Sequence, residues 1–373
     1  MSENTARQTV DLTSLLKALI VAEGSDLCVK VGSRPVMRIH GELRWVDMRL
    51  PELTDADTRA MLQAVLPPAR MHAFDEEHEL DFAYTLHEPL TRFRVNAFMQ
   101  RGYVSLVFRL VAAEIRSLRQ LGLPDVVRRL AEEERGIVLV TGTTGCGKST
   151  TLAAMIEHIN NTAFRHVVTI EDPIEFVYRD KQSVIDQREV GSDTDSFESA
   201  LRRVLRQDPD VILIGEMRDP ETIQAALSAG ETGHLVLSTL HTTNATETIN
   251  RIVDFFPPFQ QRQVRISLAA VLRGVVSQRL VARADGVGRV VAVEAMVMTG
   301  RISDRILDPN GGSGETIEDV IADGEYHGMV TFDQSLFNLF KAGEISLRAA
   351  LQAATNPHDF RVALQTAGLL PSV

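Results

Sequence analysis

Gly142-Thr143-Thr144-Gly145-Cys146-Gly147-Lys148-Ser149 is the stretch that decides the fold, because it matches the phosphate-loop pattern G-x-x-x-x-G-K-[ST] at every fixed position. The short apolar run Gly136–Thr141 precedes it, and Lys148–Asn160 has the composition of a helix. Glycines let backbone N–H groups approach phosphate, and the start of a helix adds partial positive charge. A strand, a glycine loop and a helix in this order predict a nucleotide-binding domain of the α/β class.

The pattern also assigns roles to single residues, and by itself it predicts binding of ATP or GTP; the expected cofactors of the whole chain are ATP and Mg²⁺. The Lys148 ammonium supplies charge for the outer phosphates, and the Ser149 hydroxyl is a candidate Mg²⁺ ligand. Cys146 is interpreted as a small loop residue, because Cys28, the only other cysteine, is far away in the sequence. The residues expected to bind nucleotide are Gly142, Thr143, Thr144, Gly145, Cys146, Gly147, Lys148, Ser149 and Thr150.

The pattern of strands and helices predicts two domains in the 373 residues. Residues 1–112 have the mixed pattern of a small α+β domain, and residues 113–121 change character and are the expected linker. From residue 122 to 373, apolar strands alternate with helices, which predicts a parallel sheet covered on both faces. A helical C-terminal region is expected from about residue 300.

The composition indicates which partners the chain binds and in which cellular compartment it works. The net charge is −11 and the sequence pI is about 5.4, which disfavours a general electrostatic grip on nucleic acid. Two cysteines cannot form a disulfide framework. The N-terminus lacks the basic and apolar regions of a secretory signal. We therefore expect a cytoplasmic protein that does not bind nucleic acid.

Acidic residues follow two of the predicted strands. Glu216 comes after the apolar run Val211–Gly215, where a carboxylate would lie beside Mg²⁺ or its water shell, as in a Walker B motif. The segment Thr169-Ile170-Glu171-Asp172-Pro173-Ile174-Glu175 ends another strand. ATP hydrolysis needs a group that orients the attacking water. Three candidates for that group stay open at this point, namely Glu171, Asp172 and Glu175.

Histidines and arginines complete the set of candidate residues. His234 begins the predicted strand His234–Leu240 and His241 ends it, so that His241 is expected to face the nucleotide. Arg92 and Arg94 share one face of a predicted strand, and Arg101 and Arg109 follow. Arginines of this kind can neutralise charge in the transition state of phosphoryl transfer.

Several blocks of sequence together resemble the PilT/PilU branch of the secretion-type hexameric ATPases, which power type IV pilus retraction. The matching blocks are GSDL at 24–27, RFRVNAF at 92–98, TGTTGCGKSTTLAAMI at 141–156, TIEDPIEFVY at 169–178, QREV at 187–190, DPDVILIGEMRDPETI at 208–223 and ETGHLVLSTLHTTNA at 231–245. The resemblance implies a PAS-like N-terminal domain, a RecA-like ATPase domain and a ring of six identical subunits. It further implies a position at the inner face of the cytoplasmic membrane, against a pilus platform protein, with a paralogous ATPase as an optional partner.

The resemblance also carries roles onto matching residues. Glu175 is similar to the glutamate that activates water, and Glu216 to the Walker B glutamate. His234 and His241 resemble the family's histidine pair. Two arginines of the N-terminal domain resemble those that reach the nucleotide, and they are Arg94 and Arg109. The expected catalytic residues are therefore Glu175, Glu216, Lys148, His241, His234, Arg94 and Arg109, with Ser149 and Glu216 as metal ligands.

Three other functions remain as alternatives. A pilus-assembly or type II secretion ATPase would have the same core, and the segment Arg301–Ile306 matches the retraction motif AIRNLI only weakly. Such assembly and secretion ATPases often carry a four-cysteine zinc module, which two cysteines cannot form. A partner subunit with little turnover of its own is the second alternative. A nucleic-acid translocase is the third, and the acidic pI argues against it.

Overall fold

The computed structural model describes residues 10–88, 90–111, 115–309 and 314–371, and gives only the backbone of Ala69 and Leu90. Contacts divide the chain into two units. The first comprises Met1–Glu114 together with Glu175–Val177, and the second comprises Ile115–Ile174 and Tyr178–Val373. The expected linker, residues 113–121, is described only from residue 115.

The first unit contains three helices and six strands within its described residues. They are α1 (Leu12–Val21), β1 (Asp26–Lys30), β2 (Val36–Ile39), β3 (Glu42–Trp45), α2 (Asp55–Val65), α3 (Pro68–Glu77), β4 (Glu79–His87), β5 (Leu90–Gln100) and β6 (Tyr103–Leu110). The strands form one antiparallel sheet in the order β3-β2-β1-β6-β5-β4.

Helix spacing and end caps explain why α1 and α2 form where they do. Asp11 caps α1, whose leucines at helical spacing lie on one buried face. A capping box of Thr54 and Asp57 starts α2. Inside the sheet, Phe93 of β5 meets Phe108 of β6 edge to face, and both rings are fully buried. The helices and the sheet thus enclose one apolar core.

The second unit holds the rest of the described elements. They are α4 (Asp125–Ala131), β7 (Gly136–Thr141), α5 (Lys148–Thr162), β8 (His166–Glu171), β9 (Val184–Glu189), α6 (Phe197–Val204), β10 (Val211–Ile214), α7 (Pro220–Glu231), β11 (Leu235–Leu240), α8 (Ala245–Asp254), α9 (Pro258–Val271), β12 (Leu272–Ala282), β13 (Arg289–Val297), α10 (Gly300–Leu307), α11 (Ile317–Ala322), a 3₁₀ turn (Glu325–His327), α12 (Phe332–Lys341), α13 (Leu347–Ala353) and α14 (Pro357–Thr366).

A sheet of seven strands, in the order β13-β12-β7-β11-β10-β8-β9, forms the centre of the second unit. All neighbours pair in parallel except β12 and β13, which form an antiparallel hairpin. Ile137 and Leu139 of β7 pack with residues of α6 to α9, whereas Val138 and Val140 pack with residues of α4 and α5. Helices therefore cover both faces, and this is why the central strands are apolar at almost every position.

The fold class predicted from the sequence is confirmed, and so is the helical C-terminal region, which comprises α10 to α14. Its last three helices pack on the β12–β13 hairpin, where Val281 and Ala292 share a core with Phe332, Leu336 and Phe360. Three strands of the large sheet, β9, β12 and β13, are absent from the sequence-based prediction. Within the described residues, no helix is both long and apolar enough to cross a membrane.

Candidate nucleotide-binding site

The phosphate loop lies between the carboxyl end of β7 and the start of α5, as the sequence predicts. Gly142, Gly145 and Gly147 all have positive φ angles, of 138°, 77° and 98°, which glycine adopts most readily. An added Cβ at Gly142 would lie 2.5 Å from Cys146 Sγ and 2.6 Å from the carbonyl oxygen of Gln278. Because Gly147 caps α5 without a side chain, the first N–H groups of the helix are left for an anion.

Lys148 is largely buried, with 8% of its surface exposed. Its Nζ donates to the carbonyl oxygens of Gly142, at 2.9 Å, and Thr143, at 3.3 Å. A buried ammonium needs such partners because removing it from water is costly. The ammonium is thus held beside the loop by the backbone of the loop itself. Phosphate oxygens can replace these carbonyls as acceptors.

Glu216 follows β10 by two residues, and 14% of its side chain is exposed. Its Oε2 lies 3.2 Å from His241 Nε2, and its Oε1 forms an ion pair with Nε of Arg218. β11 lies between β7 and β10 in the sheet, so His241 at its end falls between the phosphate loop and Glu216. The parallel topology therefore brings residues distant in sequence to one edge.

His241 connects the two charged residues of this edge. Its Nδ1 lies 3.5 Å from Lys148 Nζ, while its Nε2 faces Glu216. Burial, followed by the positive charges of Lys148 and Arg218, holds the pKa of the His241 imidazole below its usual value. An imidazole with its proton on Nε2 matches both contacts, because Nδ1 can then accept from the Lys148 ammonium while Nε2 donates to the Glu216 carboxylate.

The three open candidates for orienting water have different surroundings. Glu171 is buried, and its Oε1 accepts hydrogen bonds from the Thr169 hydroxyl at 2.7 Å and from Gln187 Nε2 at 3.3 Å. Asp172 is exposed. Glu175 belongs to the first unit, where its Oε1 lies 3.0 Å from Nη2 of Arg94. The structure thus pairs two of the predicted catalytic residues, Arg94 and Glu175, with each other.

The remaining two predicted residues are Arg109, in the first unit, and His234, in the second. Arg109 donates from Nε to Oδ1 of Asp26 at 2.8 Å, on neighbouring strands of the first sheet. His234 precedes β11 at the amino edge of the large sheet, and its Nδ1 lies 3.1 Å from the Ala229 carbonyl oxygen. His241 follows the same strand. The six residues of β11, which span about 20 Å when extended, therefore separate the two histidines.

Sequence reasoning missed one charged residue of the site, Arg218. Its side chain is 67% exposed, yet it contacts the nearly buried Glu216 carboxylate. The only sequence signal was its position two residues after Glu216, which by itself fits a solvated surface charge.

The donor set near the loop fits Mg²⁺. The Ser149 hydroxyl and the Glu216 carboxylate are oxygen ligands, which this ion prefers. A cationic group, the Arg218 guanidinium, already lies on the Glu216 carboxylate and shows that the position favours positive charge. These two residues are therefore the ones that would hold the ion.

Comparison with known proteins assigns the family. The family model described as "Type II/IV secretion system protein" matches residues 78–316. The chain is 42% identical over 351 residues to the "Type IV pilus retractation ATPase PilT" of Pseudomonas aeruginosa, covering 94% of the chain and all of the relative. It is 39% identical to the "Type IV pilus ATPase PilU" of the same organism, covering 95% of the chain and 92% of that relative.

A solved structure agrees with these relatives. The crystal structure described as that of the pilus retraction motor PilT and bound ADP superposes with a TM-score of 0.85 at 42% identity, covering 94% of this chain and 98% of that one. The resemblance recognised in the sequence is thus confirmed, and the names of the relatives bear out the predicted class of enzyme, an ATPase. The chain belongs to the type II/IV secretion system protein family, and within it resembles the ATPases of type IV pili.

Proposed function

We propose that this chain hydrolyses ATP at the phosphate loop and uses the energy to retract type IV pili. The observation that carries the proposal is the connected group of Lys148, His241 and Glu216 at the carboxyl edge of the large sheet. Similarity to a pilus retraction ATPase over nearly the whole chain supports the proposal that the pilus is what the chain moves. Nucleotide binding follows from the loop, and Mg²⁺ as its companion is part of the proposal.

The residues of the edge divide the work among them. Lys148 exchanges the Gly142 and Thr143 carbonyls for the outer phosphate oxygens and neutralises their charge. His241 lies next to Lys148, from where it can donate a hydrogen bond to the terminal phosphate. Glu216 and Ser149 hold Mg²⁺, which when bound offsets charge on the phosphates.

Water activation is assigned to Glu175, on the strength of the family resemblance and of its carboxylate's exposure. That side chain is 43% exposed, whereas the Glu171 carboxylate is buried and already hydrogen-bonded inside its unit. Arg94 lies within ion-pair distance of Glu175 and orients its carboxylate, the kind of group that accepts a proton from water in general base catalysis. Arg109 and His234 are proposed as further contributors to turnover in the assembled ring.

The proposed assembly is a homohexamer at the inner face of the cytoplasmic membrane. In that setting it would act on a membrane-embedded pilus platform protein, with a paralogous ATPase as a second candidate partner. The charge of −11 agrees with the expectation that nucleic acid is not the cargo. The two-domain organisation, with residues 122–373 as the ATPase domain, is part of this proposal.

ATP turnover by the purified full-length chain tests the proposal. We expect Mg²⁺-dependent hydrolysis that falls on the order of 100-fold or more in Lys148→Ala, because the ammonium that offsets negative charge on the transferred phosphate is lost. Lys341→Ala, which removes an exposed lysine from the last turn of α12, is the matched control and should keep wild-type turnover. Equal turnover in Lys148→Ala and Lys341→Ala would reject the assignment.

A second function is favoured by one observation: the chain is almost equally identical to two ATPases of the same organism, at 42% to PilT and 39% to PilU, so either member of such a pair fits. In this reading the chain binds nucleotide and works beside a paralogous motor with little turnover of its own. Nucleotide binding without measurable hydrolysis by the isolated ring would support it. Robust hydrolysis by the isolated ring supports the first function.

A further inference from the structure

The inference concerns Arg218, and it rests on the proposed function of the loop as an ATP site. Both carboxylate oxygens of Glu216 are engaged in this structure, one by Arg218 and the other by His241. Mg²⁺ and its water shell need the same oxygens. We propose that Arg218 is a positioning residue that occupies the Glu216 carboxylate between rounds of ATP binding, and that it must leave before Mg²⁺ can be bound.

Exposure supports a displaceable arginine. The side chain of Arg218 is 67% exposed, so it moves into water at little cost, as is typical of surface ion pairs. The Glu216 side chain is only 14% exposed, and a buried carboxylate without a partner is costly. One partner is therefore free to leave and the other depends on a cation, so that exchange of Arg218 for Mg²⁺ keeps the carboxylate paired throughout.

The backbone on both sides of Arg218 is anchored independently of the ion pair. Met217 is buried, and its N–H donates to the Thr239 carbonyl oxygen at 3.1 Å. Asp219 caps α7, and its Oδ1 accepts from the Thr222 N–H at 2.7 Å. The side chain is thus presented to Glu216 by the fold. A substitution at this position changes the charge and leaves the loop in place.

The charged side chains near Glu216 are positive, and they oppose the binding of Mg²⁺ to its carboxylate. Lys148 and Arg218 are positive, and His241 contacts both Glu216 and the Lys148 ammonium. A second positive charge close to the carboxylate lowers its affinity for Mg²⁺ by repulsion and by competition. Removing the guanidinium therefore increases Mg²⁺ affinity, whereas removal of a residue that assists binding would decrease it.

The test measures how much Mg²⁺ is needed to bind a trace amount of a fluorescent, non-hydrolysable ATP analogue to the full-length chain. We expect Arg218→Gln to lower the Mg²⁺ concentration at half-maximal binding roughly twofold to fivefold, the effect of removing one surface ion pair. Arg218→Lys, which keeps the charge without the forked geometry, should fall between the two. A midpoint equal to or higher than that of the wild type overturns the proposal.

Two controls make the result specific. Arg202→Gln breaks another exposed arginine–glutamate pair, with Glu198 on α6, and should not change the midpoint. In a Glu216→Gln background, a further Arg218→Gln change should have no effect, because the competitor has lost its carboxylate. A shift that persists in that background would assign Arg218 a general electrostatic role and overturn the proposal.

The same series separates this inference from the proposed function. If the wild-type chain binds no nucleotide at any Mg²⁺ concentration and does not hydrolyse ATP, the ATP site itself is rejected. If the wild type binds and hydrolyses ATP while Arg218→Gln leaves the midpoint unchanged, only the role of Arg218 is rejected.

Discussion

At the scale of single residues, two positions of the loop have closely packed surroundings. Gly142 combines a positive φ with close neighbours, since an added Cβ would meet Cys146 Sγ and the Gln278 carbonyl. Gln278 in turn donates to the Thr151 hydroxyl at 2.7 Å, so β12 supports the first turn of α5 directly. Lys148 is the second position, because its buried ammonium donates hydrogen bonds to backbone oxygens of the loop.

Substituting Gly142 tests this packing. Gly142→Ala should lower the free energy of unfolding by about 2 kcal/mol more than Gly343→Ala, because the added methyl must displace backbone atoms. Gly343 also has a positive φ, of 74° against 138° for Gly142, but open space around it, so its substitution reports the backbone strain of the left-handed region alone, about 1 kcal/mol. Urea unfolding of both variants measures the difference, and equal losses would show that the loop yields to the methyl group.

At the scale of elements, a buried acid of the β12–β13 hairpin accepts a hydrogen bond from the start of α8. Glu294 of β13 is 5% exposed, and its Oε1 accepts from the Ala245 N–H at the start of α8, at 2.7 Å. Burial is the main cause that raises the pKa of Glu294 to about 7. Glu318 and Asp333 raise it further, whereas the Ala245 N–H and Arg279 act in the opposite direction.

Glu294→Gln should flatten the dependence of stability on pH. The folded chain holds the Glu294 proton more tightly than the unfolded chain, so the free energy of unfolding falls as pH rises from about 4.5 to about 7. Glutamine keeps an oxygen for the Ala245 N–H but has no charge. We expect the variant to gain up to about 3 kcal/mol on the wild type between pH 5 and pH 8. Parallel unfolding curves for the two proteins across this range would contradict the assignment.

The elements also show what the sequence could and could not predict. β7, β10 and β11 were predictable because strands covered on both faces are apolar throughout. β9 is partly exposed and has the mixed composition Val-Ile-Asp-Gln-Arg-Glu, so it carries no such pattern. β13 is mostly apolar, and an apolar run does not by itself distinguish a buried strand from a buried helix, whereas β12 mixes apolar residues with arginine, serine and glutamine.

The candidate site divides in the same way. The loop and Glu216 were predictable because each follows a strand that the sequence identifies. The pairing of Glu216 with Arg218, and of Arg94 with Glu175, depends on side-chain directions set by tertiary contacts, which residue spacing does not encode.

At the scale of the whole molecule, the predicted catalytic residues belong to two units of one chain. Lys148, His241 and Glu216 lie in the second unit, whereas Arg94 and Glu175 belong to the first. The proposed roles therefore predict that turnover requires the complete chain, and they do not determine the direction of the force. Whether the chain retracts or assembles pili is therefore decided by counting the pili on cells.

The most direct measurement is the number of surface pili after deletion of the gene in the source organism, with wild-type and Lys148→Ala copies restored separately. A retraction motor leaves pili extended when it is lost. We therefore predict more pili and no twitching in the deletion strain, normal numbers with the wild-type copy, and the deletion phenotype with Lys148→Ala. Loss of surface pili in the deletion strain would contradict retraction and identify an assembly motor.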